Sequence, residues 1–291
     1  MKIAVFDDYR LGVVGDGSIR DISSLVDRPW RGHPLAVNRL IERWDDVREE
    51  AARQSAAAVI KPLPEVRLRA PVPQPRQLLA APLNYHQHIS EMGSSPHVPG
   101  GLPPEQTSRE LGFFVKASGS ICGPSDAIEL PRWSGRVFHH ECELGVVIGR
   151  TARAVSRQRA REHVFGYVCL IDVTMRMNRE FQEERPMRKS FETFTPIGPW
   201  IVTADEVPNP DSLGIRLWVN GELRQDGSTA QMIVGVDELI ASASSVVTLH
   251  PGDLYATGTP AGVGPIGPGD QVSVCVDKVG EFTIPVRQRD W

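Results

Sequence analysis

The segment HECELGVVIG sets two carboxylates, Glu141 and Glu143, at alternate positions of a run that continues through Val146, Val147 and Ile148. Alternation of this kind predicts a strand, in which residues two apart share a face. Carboxylates on one partly buried face repel each other and lose hydration, and a fold tolerates them only where positive charge neutralises them. Asp172 closes a second apolar run, FGYVCLID, while His88 and Glu91 stand three apart in NYHQHISE. The pattern predicts a chain that gathers scattered acids around a divalent cation, and an enzyme rather than a binding scaffold. The bland alternative, a solvated strand face at Glu141 and Glu143, fits the adjoining apolar run poorly.

Short β-type runs dominate the rest: FFVKAS, AIEL, PWIVTA, GIRLWV, DLYATG, QVSVCVD and EFTIPV. The NG pair at 220–221 predicts a two-residue hairpin turn. Helical spacing of Leu40, Ile41, Trp44 and Val47 predicts a helix over roughly 34–59, and two more are expected in SRQRAREHVF and VDELIASASSVV. Helices do not alternate regularly with strands, which excludes a doubly wound fold. The expected class is α+β, mostly β. The proline-rich stretch KPLPEVRLRAPVPQPRQ reads as a connector, so a small α+β module is expected over 1–70 and the main domain over 71–291.

A formal net charge of −4 and the lack of a basic tract give no electrostatic basis for binding nucleic acid. No run approaches the 18 or so apolar residues of a membrane span, and MKIAVFDD does not read as a signal peptide. Cys122, Cys142, Cys169 and Cys275 are widely spaced and read as reduced thiols. A cytoplasmic location is expected.

Six motifs in order carry a family resemblance: NYHQHISE, FFVKASGSICGP, HECELGVVIG, GYVCLIDVT, KSFETFTPIGP and TGTPAGVG. Over roughly residues 76–287 the chain resembles the fumarylacetoacetate hydrolase family. The resemblance implies layered mixed β-sheets with flanking helices, a homodimer, and a Mg2+, Mn2+ or sometimes Ca2+ cofactor. It implies metal ligation by Glu141, Glu143 and Asp172, a water-activating dyad of His88 and Glu91, and an active-site lysine at Lys189. Thr259 matches a threonine that helps hold a substrate carboxylate. Three carboxylates form the oxygen-rich site that Mg2+ or Mn2+ prefers, and the i,i+3 spacing lets Glu91 orient the His88 imidazole. His86 stands two residues from His88 as a competing candidate, and His139 and His140 flank the acidic pair. Lys116 reads equally as a substrate contact or a surface lysine.

Members of this family mostly hydrolyse C–C bonds in acylpyruvates. The expected reaction is therefore cleavage of a 2,4-dioxo acid to pyruvate, or a substituted pyruvate, and a carboxylic acid. The setting implied is catabolism of an aromatic compound or a sugar acid. Decarboxylation, tautomerisation or hydration of a 2-oxo acid are alternatives at the same site, as is a non-catalytic metal-stabilised ligand-binding protein. One departure stands out: where relatives read D-x-T-x-R-D-x-Q, this chain reads DVTMRMNR. Arg176 is retained and is expected to meet substrate, Met177 replaces an acid, and Arg179 replaces an amide and is expected to admit a second anionic or hydroxyl group. The Pro/Gly-rich stretch over 92–108 is expected to be either a surface loop or a lid closing on substrate.

Overall fold

A computed structural model describes residues 1–93, 106–133, 135–177, 180 and 183–290. Its organising pair is the strand Cys142–Ile148 against the antiparallel strand Val164–Ile171, with Cys142 opposite Ile171 and Glu143 opposite Leu170. Every residue of Cys142–Ile148 is buried. Cys142, Leu144, Val146 and Ile148 face one apolar core, and Val147 faces another. Burial on both faces is why the segment reads as a nearly continuous apolar run rather than an alternating one.

These two strands lie inside an eleven-stranded mixed sheet. Beyond Val164–Ile171 comes Thr195–Thr203, then the N-terminal strands Lys2–Phe6, Arg10–Gly15 and Ser18–Asp21, ending at Ile60–Pro62. On the other side lie Leu254–Ala256, Leu78–Ala80 and the edge strand Phe114–Lys116. A five-stranded sheet packs on the first core and contains the hairpin Gly214–Val219/Glu222–Ser228. Its turn has positive φ at both Asn220 and Gly221, the backbone that an NG pair favours. A three-stranded sheet joins Phe138–His140 to Thr174–Met175 and Gly264–Ile266. The layered mixed sheets agree with the mostly β, α+β class read from sequence.

The N-terminal residues extend the central sheet directly, since Lys2 pairs with Val202 and Ile3 with Ile201. Ile3, Val5, Leu40 and Ile41 share one core with Val147, Val168 and Leu170. The helix expected over 34–59 is two helices, Ala36–Glu42 and Trp44–Ala57, broken at Arg43. SRQRAREHVF also departs from expectation. It forms the 3-10 helix Arg157–His163, and Val164 already begins the next strand. The third helix, Val236–Val246, lies where its spacing placed it. The four cysteines are free, and three of them are buried. No helix among the described residues is long and apolar enough to cross a membrane.

Asn84 ties three chain segments together. Its buried amide donates to the carbonyls of Val234 (2.9 Å) and Thr257 (2.8 Å) and accepts from the Val234 amide (2.8 Å). Asn84→Ala strands one donor and two acceptors in the interior. A loss of about 3 kcal/mol is expected, read as a lower urea midpoint at unchanged slope.

Candidate active site

Strand pairing creates the acidic cluster. Asp172 follows Val164–Ile171, Glu141 precedes Cys142–Ile148, and the Asp172 amide donates to the Glu141 carbonyl at 2.8 Å. Glu143 lies two residues along the same face. Oxygens of Glu141, Glu143 and Asp172 lie within 4.8 Å of one another, and all three residues are buried. At that spacing, and an effective dielectric near 20, each pair repels by roughly 3–4 kcal/mol.

The chain supplies its own counter-charges. Lys189 Nζ donates to Glu141 Oε2 (2.7 Å), Asp172 Oδ2 (2.6 Å) and Thr174 Oγ1 (2.6 Å). Arg176 donates to Glu141 Oε1 at 2.7 Å. Lys116 Nζ donates to Asp172 Oδ1 (2.5 Å) and to the Phe194 carbonyl (3.1 Å). Burial opposes ionisation of Glu141, but Lys189 and Arg176 outweigh it and hold its carboxyl well below the usual range. Glu143 goes the other way: burial, reinforced by Asp172, pushes it well above that range. Glu143 makes no ion pair among the described residues, and it accepts a hydrogen bond from the Gly258 amide at 2.7 Å. A hard, oxygen-only donor set with one under-compensated carboxylate fits a divalent cation such as Mg2+, Mn2+ or Ca2+.

His88 lies on the helix His86–Gly93, buried, with Nδ1 at 3.4 Å from Glu91 Oε2. His86, the competing candidate, is exposed. Burial raises the Glu91 carboxyl, yet His88 and the Gly262 and Val263 amides together hold it below its ordinary value. Gly262 carries a φ of +94°, and a Cβ there would meet the Arg224 carbonyl at 2.2 Å. Only glycine fits while pointing its amide at Glu91.

One pocket joins these groups. His88, Glu141, Arg176, Lys189 and Thr259 line it, with Leu83, Met92, Phe114 and Met177 as apolar wall. Of the two readings of Lys116, the surface lysine does not hold. Its side chain is fully buried against Asp172, so it is neither a surface lysine nor a pocket-lining one. Arg179 and residues 94–105 of the expected lid lie outside the described residues. His140 is not among the clustered metal-binding candidates. Its Nδ1 lies 3.0 Å from Gln225 Oε1, and burial, chiefly, lowers its pKa to about 4.

Residues 77–287 match the family described as fumarylacetoacetate (FAA) hydrolase C-terminal. The chain belongs to the fumarylacetoacetate hydrolase family. It is 39% identical over 292 residues to a maleylpyruvate hydrolase of Aquipseudomonas alcaligenes, covering 99% of each chain. Among solved structures it resembles a maleylpyruvate hydrolase from Sphingobium sp. SYK-6 in complex with manganese(II) ion and pyruvate. That match has a TM-score of 0.84 and 38% identity, and covers 99% of both chains. A probable 2-hydroxyhepta-2,4-diene-1,7-dioate isomerase from Mycobacterium abscessus is also similar, at TM-score 0.79 and 29% identity, over 100% of this chain and 99% of that one.

Within this member of the fumarylacetoacetate hydrolase family, sequence reasoning missed Gln225, Arg185 and Arg188. Gln225 is fully buried. Its Oε1 accepts from the Cys142 amide (2.9 Å), and its Nε2 donates to Thr259 Oγ1 (2.8 Å) and the Pro260 carbonyl (2.9 Å). It sits in ELRQDGS, a polar hairpin strand with no pattern to mark it. Arg185 and Arg188 line the pocket, and their nearness to KSFETF was the available signal.

Lys189→Met removes the ammonium shared by Glu141 and Asp172. In chelator-treated protein the expected loss is about 3 kcal/mol, the lower end for a broken buried pair because Arg176 and Lys116 remain. Added Mn2+ should raise the melting temperature of this variant more than that of wild type. Equal melting temperatures for the two chelated proteins would remove Lys189 from the charge balance.

Proposed function

We propose that this protein is a divalent-metal-dependent hydrolase of a C–C bond in an acylpyruvate-like 2,4-dioxo acid. The products are pyruvate, or a substituted pyruvate, and a carboxylic acid. The carrying observation is that Glu141 of the buried carboxylate cluster and His88 of the His88–Glu91 pair line one pocket. The similarity to maleylpyruvate hydrolases, one solved with manganese(II) and pyruvate, supports the same reading.

Glu141, Glu143 and Asp172 would hold Mn2+ or Mg2+. When bound, the cation supplies the positive charge that anchors the 2-oxo acid end and takes up charge developing there as the C–C bond breaks. His88 acts as general base. Ionised Glu91 accepts from Nδ1–H, which leaves Nε2 free to take a proton from water for attack on the distal carbonyl. Lys189 adds a second cation beside the developing enolate. Thr259 Oγ1 accepts from Gln225, so its own hydroxyl proton is free to donate to the substrate carboxylate. Arg176, already on Glu141, presents its remaining donors at the same end. Lys116 we read as a buried counter-charge to Asp172 that does not touch substrate.

We further read residues 1–70 as an N-terminal module that adds strands to the catalytic domain's central sheet, a division supported by a family match that begins at residue 77. The working form in this reading is a cytoplasmic homodimer.

The similarity to a probable isomerase favours tautomerisation as the second reading. Turnover of acylpyruvates in 18O-labelled water separates the two. Hydrolysis places one labelled oxygen in the non-pyruvate acid, whereas an isomerase releases one unlabelled product of unchanged mass. His88→Ala should retain metal affinity by calorimetry and lose about 10²–10⁴-fold in kcat; undiminished turnover would exclude His88 as the base.

A further inference from the structure

In the strand Glu222–Ser228, Gln225 alone is buried. A polar side chain on a largely exposed hairpin strand gains nothing from burial unless its hydrogen bonds are all made. Gln225 makes four. Its Oε1 accepts from the Cys142 amide (2.9 Å) and lies 3.0 Å from His140 Nδ1, while Nε2 donates to Thr259 Oγ1 (2.8 Å) and the Pro260 carbonyl (2.9 Å). Two of these partners have fixed roles. A main-chain N–H can only donate and a main-chain carbonyl can only accept, so the amide has one possible orientation. The other two roles follow from it: His140 carries a proton on Nδ1, and Thr259 Oγ1 accepts.

The loop that carries Thr259 rests on the same strand. Gly227 leaves room for Pro260, since a Cβ there would meet Pro260 Cβ at 2.7 Å. On either side of Thr259 the loop's amides serve the site: Gly258 donates to Glu143 Oε2 (2.7 Å) and Gly262 to Glu91 Oε1 (3.1 Å). Thr259 is thus held between an acid of the cluster and the partner of His88, and it lines the pocket together with His88 and Glu141. Its hydroxyl has one proton. With Gln225 donating to the oxygen, that proton is kept off the amide and is available to a ligand in the pocket.

We propose that Gln225 is a positioning residue for the reaction: it fixes the Thr259 hydroxyl as a donor towards the substrate carboxylate. This inference rests on the reading above of Thr259 as a carboxylate contact, and it adds the residue that sets the polarity of that contact. A hydroxyl free to rotate presents a lone pair to an incoming anion as readily as a proton, and must turn when the anion binds. One whose oxygen is already engaged by a fixed donor is preorganised. Gln225 does not line the pocket, so what it contributes to binding passes through Thr259.

The test is a double-variant cycle read by calorimetry of pyruvate binding to the Mn2+-loaded full-length protein. Thr259→Val should weaken pyruvate binding at least about tenfold, and Thr259→Ser, which keeps the hydroxyl, should retain most of the affinity. Gln225→Met should weaken it about fivefold or more while leaving Mn2+ affinity unchanged. Joined to Thr259→Val, Gln225→Met should cause no further loss. Losses that multiply in the double variant, a Gln225→Met loss matched by an equal loss of Mn2+ affinity, or wild-type protein that does not bind pyruvate would each overturn the proposal. Should Gln225→Met not fold, NMR of the Gln225 side-chain amide in Mg2+-loaded wild-type protein decides the question. Saturating pyruvate should shift its 15N resonance in wild type and not in Thr259→Val; an unmoved wild-type resonance, or equal shifts in the two proteins, overturns it as well. Failure of the hydrolase reading shows separately, as absence of labelled acid from wild-type protein in 18O-labelled water, while pyruvate binding still reports on Gln225.

Discussion

The antiparallel pairing of Cys142–Ile148 with Val164–Ile171 is the constraint on which the rest of the molecule depends. That register sets Asp172 across from Glu141, with Glu143 one alternation further on. Nothing in the local sequence could hold three carboxylates so close, because their mutual repulsion exceeds what any one contact returns. The main-chain ladder does so because it is itself locked on both faces by buried apolar side chains. The electrostatic cost falls on the site, while the stabilising packing is spread through the central sheet.

Compensation then comes from three separate parts of the chain. Lys116 reaches Asp172 from the edge strand Phe114–Lys116, Arg176 reaches Glu141 from just beyond Thr174–Met175, and Lys189 bridges both from the end of a short helix. Three basic side chains thus face three carboxyl groups. The distribution is uneven, however, and Glu143 is left with a main-chain amide. Gln225 adds a mechanical link, since one buried amide holds the backbone at Cys142 and the hydroxyl of Thr259 together. The carboxylate strands and the TGTP loop are thereby registered to each other through a residue from a different sheet.

Much of this was legible in the sequence, for identifiable reasons. Acids embedded in apolar runs are costly, so Glu141, Glu143 and Asp172 advertised a shared purpose before any coordinates. The NG turn and the strand at QVSVCVD followed from local backbone preference and alternation. What stayed hidden was long-range. Lys116 gave no sign that it would be buried against an acid 56 residues away. Gln225 reaches the site through a partner sheet that no local pattern reveals. The break at Arg43 and the 3-10 turn at Arg157–His163 reflect packing that overrides helical propensity. Arg185 and Arg188 were overlooked because a basic residue near a recognised motif looks like an ordinary solvated one until the pocket closes around it.

The short helix Arg185–Lys189 has a consequence for how such a site diversifies. The carboxylates depend on strand register, and altering them disturbs the central sheet. The cations at 185 and 188 depend on the five-residue helix Arg185–Lys189. The same helix ends on Lys189, which bridges Glu141 and Asp172, so pocket wall and acidic centre share one element. A shift of that helix that repositions Arg185 or Arg188 in the pocket wall therefore also moves the ammonium that balances the acids. Pocket shape and the stability of the charge cluster are thereby coupled through five residues of sequence.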